Sequence, residues 1–132
     1  MPIKKVINWG PQEVILLPLY PQFSTTTSGS SLVSWKDATL KNKYKIPTKI
    51  ICCYPTEENF ILAHTKSIKT ILNKIKNNND QNQNIKLLLS AHGLPEKIIK
   101  KGDPYQNQVE KTVNKIIENI NKKKFSYTIC YQ

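Results

Sequence analysis

Ile85-Lys86-Leu87-Leu88-Leu89-Ser90-Ala91-His92-Gly93-Leu94-Pro95 is the stretch around which the 132-residue chain is organised. An apolar run rises out of a polar tract and stops at Ser90. His92 and Gly93 follow at once, and Pro95 blocks immediate continuation of any regular element. A run this short, apolar on both faces, predicts a strand buried in a parallel sheet. His92 then lies just past the strand's carboxyl end, the edge at which open α/β sheets bind ligands. Of the two histidines, this one is placed for chemistry.

Working outward, the same pattern recurs. Glu13–Tyr20 is a second apolar run, with Pro18 near its end because proline cannot donate to a ladder. Thr48–Tyr54 is a third, stopped by Pro55, and Phe125–Gln132 is a fourth. Helical spacing fills the intervals. Lys4 to Trp9 reads as the tail of a helix closed by Gly10-Pro11. Leu32, Trp35 and Leu40 are expected on one face of a helix running to about Asn42. Glu57 to Lys76 carries Phe60, His64, Ile68, Ile71 and Ile75 at helical intervals. On that stripe His64 reads as a packed histidine rather than a ligand. Pro95–Lys101 suits a short helix begun by proline, and Gly102-Asp103-Pro104-Tyr105 is strong turn chemistry. Gln106 to Lys124 is the last helix, with Val109, Val113, Ile116, Ile117 and Ile120 turned inward. The order β-α-β-α-β-α-β predicts an open parallel α/β sheet with right-handed crossovers.

Two further tracts have distinctive composition. Ser24-Thr25-Thr26-Thr27-Ser28-Gly29-Ser30-Ser31 suits a helix entry, where hydroxyls cap free N–H groups. Exposed amides at such an entry also suit anionic groups. Asn77 to Asn84 is wholly polar and low in complexity. It reads as an exposed linker between domains.

Composition narrows the function classes. Hydrophobic residues make up 39% of the chain, which excludes a wholly disordered polypeptide. No apolar run is long enough to span a bilayer, and no signal peptide is visible after Met1. Three cysteines, two of them adjacent as Cys52-Cys53, give neither a metal spacing nor a disulfide framework. A reducing, cytoplasmic setting is the expectation. The net charge of +11 invites a nucleic-acid reading. Every basic residue is lysine, however, and phosphate and base readers favour arginine's bidentate fork. A solvated lysine surface is the plainer account.

Three segments in order carry a resemblance to one family. Tyr20-Pro21-Gln22-Phe23-Ser24-Thr25-Thr26-Thr27-Ser28-Gly29-Ser30-Ser31-Leu32 resembles the ferrochelatase stretch that follows its porphyrin-lining strand. Ser90-Ala91-His92-Gly93-Leu94-Pro95 resembles the ferrochelatase histidine signature, which Gly102-Asp103-Pro104-Tyr105 completes. Tyr131-Gln132 looks like the opening of the family's next motif. The resemblance covers essentially the whole chain and corresponds to the middle of the longer family chain.

The resemblance implies two Rossmann-like domains facing each other across a porphyrin cleft. Residues 1–76 would be the later part of the first domain, 77–84 the linker, and 85–132 the opening of the second, so that the sheet is incomplete at both ends. It implies a lyase that inserts ferrous iron into protoporphyrin IX to give protohaem, the last step of haem biosynthesis. Protoporphyrin IX and Fe(II) are then its partners. No cofactor is implied and no iron–sulfur cluster. Peripheral membrane association is compatible with it; nucleic-acid binding is not expected. His92 becomes the catalytic residue, taking a pyrrole proton or ligating the iron, since neutral imidazole does either. Ser90 and Gly93 flank it with small groups that leave room for a flat ligand. Tyr20, Ser24 and Thr25 line the opposite wall by resemblance. The family's glycine-rich amino-terminal strand, and the acidic residue that faces the histidine, have no counterpart here. The chain alone is therefore expected to associate through its exposed sheet edges and to be inert. The alternatives are a related tetrapyrrole chelatase for another metal and a lysine-rich nucleic-acid-binding α/β module.

Overall fold

The computed structural model describes residues 3–77, 84–120 and 125–132. Ten elements are formed among the described residues: α1 (Ile3–Trp9), β1 (Val14–Leu16), a π-helical turn (Thr25–Gly29), α2 (Ser30–Lys41), β2 (Thr48–Ile50), α3 (Glu58–Asn77), β3 (Lys86–Ala91), α4 (Glu96–Lys100), α5 (Tyr105–Ile120) and β4 (Ser126–Tyr131). The mixed α/β class expected from the sequence forms. The strands pair in parallel as β1 with β2 and β3 with β4, two sheets of two strands each.

The chain divides into two compact units, Met1–Tyr54 and Pro55–Gln132. The division falls between Tyr54 and Pro55, upstream of the Asn/Gln tract expected to carry it. The physical reason is α3. Its stripe of Phe60, Ile61, Ile68 and Leu72 packs against Ile116 and Ile120 of α5, so the helix belongs to the second unit. The expected linker, 77–84, lies largely outside the described residues, as does the expected end of the last helix at 121–124.

In the first unit, Gly10 closes α1. Its φ of +65° is the left-handed conformation that suits a helix end, and its N–H donates to the carbonyls of Val6 and Ile7. Both strands are shorter than the apolar runs that contain them. Ile51 N–H still donates to Leu16 at 2.9 Å, but Pro18 ends the ladder on one side and the chain leaves the sheet after Ile50 on the other. An exposed Glu13–Lys49 pair at 2.9 Å bridges the strands; such pairs contribute little. α1 packs on α2, and Ile3 and Trp35 are the buried residues of those helices. Leu40, expected beside Trp35, is exposed instead.

The second unit has the larger core. Val109, Val113 and Ile117 of α5 lie against Leu87, Leu89 and Ala91 of β3 and Tyr127 and Ile129 of β4. The inward stripe read from the sequence is therefore the one that packs. Buried Thr112 donates to the Pro55 carbonyl at 2.6 Å, fixing the entry to α3. Glu57 begins that helix. Its carboxylate accepts from the N–H groups of Phe60 and Asn59, which hold its pKa below the usual carboxylate value. His64 is exposed and meets Phe60 edge-on at 4.7 Å. It stands one position off the buried line of Ile61 and Thr65, so the packed histidine expected from the sequence is not found.

Burial on both faces, expected of β3, does not occur. Its residues alternate, with Leu87, Leu89 and Ala91 turned to α5 and Leu88 62% exposed. Helix covers only one face. Burial therefore predicts unequal costs. Ile117→Ala, at 0% exposure, should destabilise the second unit by ~2–5 kcal/mol, whereas Leu88→Ala should stay within ~0.5 kcal/mol of the parent. Urea unfolding monitored by circular dichroism measures both; equal losses would contradict the one-sided core.

Candidate functional site at the carboxyl edge of the second sheet

β3 and β4 run in register from Lys86↔Ser126 to Ala91↔Tyr131. Beyond the last pair the two chains stay joined. Gln132 N–H donates to Ala91 at 3.1 Å, and Gly93 N–H donates to the Gln132 carbonyl at 2.6 Å. The Gln132 amide also donates to Ser90 Oγ at 2.5 Å. His92 lies between these ties and is exposed. Its backbone is thus held on both sides while its ring faces outward.

Gly93 is there because of a close approach. A Cβ built on it meets the Gln132 carbonyl oxygen at 3.0 Å and its carbon at 3.5 Å. A side chain at 93 has to push backbone aside, which breaks the Gly93–Gln132 bond or bends the loop. Ser90, read as a substrate contact, is exposed and tied to Gln132. The part Gln132 plays is not legible in the sequence; nothing in its type or spacing announces that its backbone closes the loop.

Gly102-Asp103-Pro104-Tyr105 sets the neighbouring wall. Gly102 has φ +93° and turns the chain after α4. Asp103 is nearly buried, and its carboxylate accepts from Tyr105 N–H at 3.0 Å, starting α5. Between this turn and the histidine loop lies an open cavity of about 560 Å³. Gly93, Leu94, Ile99, Tyr105 and Tyr131 supply its apolar and aromatic lining. Burial, then the nearby Glu110 carboxylate and Tyr105, raise the Tyr131 phenol above its usual pKa. Tyr131 therefore presents a neutral ring to the cavity at physiological pH.

The other predicted residues belong to the first unit. Tyr20 is half exposed. Ser24 is fully buried, with its hydroxyl capping the π-helical turn: it accepts from Thr26 N–H at 3.1 Å and lies 2.8 Å from Thr26 Oγ1. Gly29 N–H donates to the Ser24 carbonyl at 2.9 Å, the five-residue span that makes the turn π. Ser24 thus shapes the loop from inside, while Thr25 is exposed on it. The hydroxyls of Thr27 and Ser28 are buried there without a partner. Among the described residues no three His, Cys, Asp or Glu side chains converge on a metal site, and no helix is long and apolar enough to cross a membrane.

These features define an α/β protein whose histidine is presented at the carboxyl edge of a parallel sheet, beside an aromatic cavity. The ferrochelatase family model matches residues 2–132, and the chain belongs to that family. A ferrochelatase from Pelagibacter ubique (strain HTCC1062) is 55% identical over 130 residues, covering 98% of this chain and 36% of that protein. Ferrochelatases from Rickettsia bellii (strain OSU 85-389) and Rickettsia prowazekii (strain Madrid E) are 51% and 49% identical over 131 residues. The chain spans about a third of the length of these relatives, 36%, 34% and 35% in turn.

The clasp at Gly93 has a measurable consequence. Gly93→Ala should lower the second unit's stability by ~1–3 kcal/mol, the cost of forcing extra volume into a filled contact. The backbone amide at position 93, the donor of the clasp, should also exchange faster with deuterium. Unchanged stability and exchange would show that the loop does not need this contact.

Proposed function

We propose that this chain carries the histidine-bearing part of a ferrochelatase, which inserts ferrous iron into protoporphyrin IX to form protohaem. The observation that supports it most is the placement of His92 on the one loop that backbone ties hold at the sheet's carboxyl edge. Metal insertion sets three tasks. Two pyrrole protons must leave, the macrocycle must deform so that its nitrogens are reached, and the ferrous ion must shed water. An exposed imidazole at neutral pH accepts a proton from a pyrrole N–H, and it also binds Fe(II). Either role requires a ring held still and not spent on a protein partner. The Gly93–Gln132 tie fixes the backbone from which the ring extends.

The lining of the cavity suits a flat apolar ligand. Tyr105 and Tyr131 contribute aromatic rings, Leu94 and Ile99 aliphatic surface, and Glu96, Lys100 and Gln106 polar groups beside them. Ser90 and Gly93 keep the histidine's flanks low. Tyr20 and Thr25 are assigned to porphyrin contact from the first unit, with Ser24 shaping their loop from within. Lysines near the mouth would attract propionate groups through the net charge of +11. A cytoplasmic setting, compatible with peripheral association at a membrane, is the one this assignment favours.

The test uses a chimera in which these 132 residues replace the matching stretch of the Pelagibacter ubique relative. Anaerobic incubation with ferrous iron and protoporphyrin, read as the pyridine haemochrome, should give haem. His92→Ala in that chimera should lower the rate by ~10²–10⁴-fold, the usual contribution of a positioned proton-transfer group, with the melting temperature unchanged. His64→Ala, on an exposed helical face, should leave rate and stability near those of the parent. Near-normal haem formation by the His92 variant would overturn the assignment.

A further inference from the structure

β2 ends at Ile50, and Cys52 and Cys53 come next within the segment that leaves the sheet. In a regular strand two adjacent side chains point to opposite faces. Here the backbone is irregular and the sulfurs converge: the two Sγ atoms are 2.7 Å apart. Both cysteines are thiols, Cys52 exposed and Cys53 partly so. Two sulfurs at this separation are well inside van der Waals contact and need only a small movement to reach the ~2.05 Å of a disulfide bond.

We infer that Cys52 and Cys53 form a thiol-modification site that closes reversibly into an intrachain disulfide by exchange with a small-molecule disulfide. One thiolate of the pair attacks a sulfur of the small disulfide, the S–S bond breaks, and one small thiolate leaves. The second cysteine loses its proton and attacks the sulfur of its neighbour. The new S–S bond forms as the second small thiolate departs. The protein gives up two electrons and two protons, and the small disulfide becomes two thiols. Proximity favours the second step over any intermolecular competitor, because the attacking sulfur is already in place.

Reversibility comes from adjacency. Neighbouring Cα atoms lie ~3.8 Å apart, below the ~4.4–6.8 Å of an ordinary disulfide, so the ring distorts its own peptide and thiols reopen it readily. In the reduced pair the hydrogen bond to Cys53, with some burial, raises the Cys52 thiol above its usual pKa, so exchange accelerates as pH rises. Tyr54, next in the chain, donates its N–H to the Pro21 carbonyl at 2.8 Å, which makes that amide the nearest reporter of ring closure. Cys130 in β4 has no cysteine beside it in the sequence and serves as an internal control.

The test takes the reduced chain, exposes it to glutathione disulfide, quenches with acid and digests it at lysine without reductant. The Ile50–Lys66 peptide should be lighter by two hydrogens, carry no glutathione, and regain both hydrogens with dithiothreitol. Cys130, where it reacts, should retain glutathione. Cys53→Ser should leave Cys52 with a stable glutathione adduct, and in the parent chain the Tyr54 amide resonance should shift on oxidation and return on reduction. Glutathione retained on the parent Ile50–Lys66 peptide, disulfide-linked dimers through it, or an unmodified peptide alongside a modified Cys130 would each overturn the inference.

Discussion

The site depends on one backbone hydrogen bond, from Gly93 N–H to the Gln132 carbonyl at 2.6 Å. Two parallel strands that end together usually release their chains into independent loops. Here the chain after β3 is tied once more to the chain after β4, and His92 is the residue caught between the last ladder bonds and that tie. A parallel pair needs a covering crossover, and α5 supplies it: Val109, Val113 and Ile117 seat the sheet from below. The same helix starts just after Asp103, whose carboxylate holds its first N–H, so the turn that starts the core also forms the wall beside the histidine. Fold and site share these residues, which is why a change at position 93 reaches both.

The opposite faces of the sheets are less provided for. Leu88 on β3, Ile15 on β1 and Ile50 on β2 are more than half exposed. On β3 an apolar run written for burial on two sides is covered on one. These side chains belong to a chain that spans about a third of its relatives' length, 36% in the Pelagibacter protein. The uncovered face is thus read as a property of the described units by themselves.

The features legible in the residues are local ones. The α5 stripe, the Gly10 helix stop, the strand positions and the place of His92 come from period, turn chemistry and the end of an apolar run. Other features depend on partners far along the chain. Helical spacing alone does not show that α3 packs on α5, and with that packing the unit boundary moves from the Asn/Gln tract to Tyr54–Pro55. His64 and Leu40 sit at helical intervals yet face outward, since a periodic pattern does not say which of two adjacent lines is buried. By its composition the π-helical turn reads as plain helix entry. Only the Gly29–Ser24 bond distinguishes it, in a turn so close that a Cβ built on Gly29 meets the Phe23 ring and the Ser24 carbonyl at 3.3 Å. Ser24 is legible both as a capping residue and as a ligand contact; its complete burial supports the first role.

If the carboxyl edge of the β3–β4 sheet is where porphyrin meets this chain, the most direct measurement is a titration of the isotope-labelled chain with metal-free protoporphyrin, monitored through its amide resonances. The largest shifts should fall on Ser90–Leu94 and on Tyr131 and Gln132, and His92→Ala should reduce but not relocate them. Shifts confined to the lysine-bearing outer faces of α3 and α5, with the 90–94 loop unmoved, would contradict that placement.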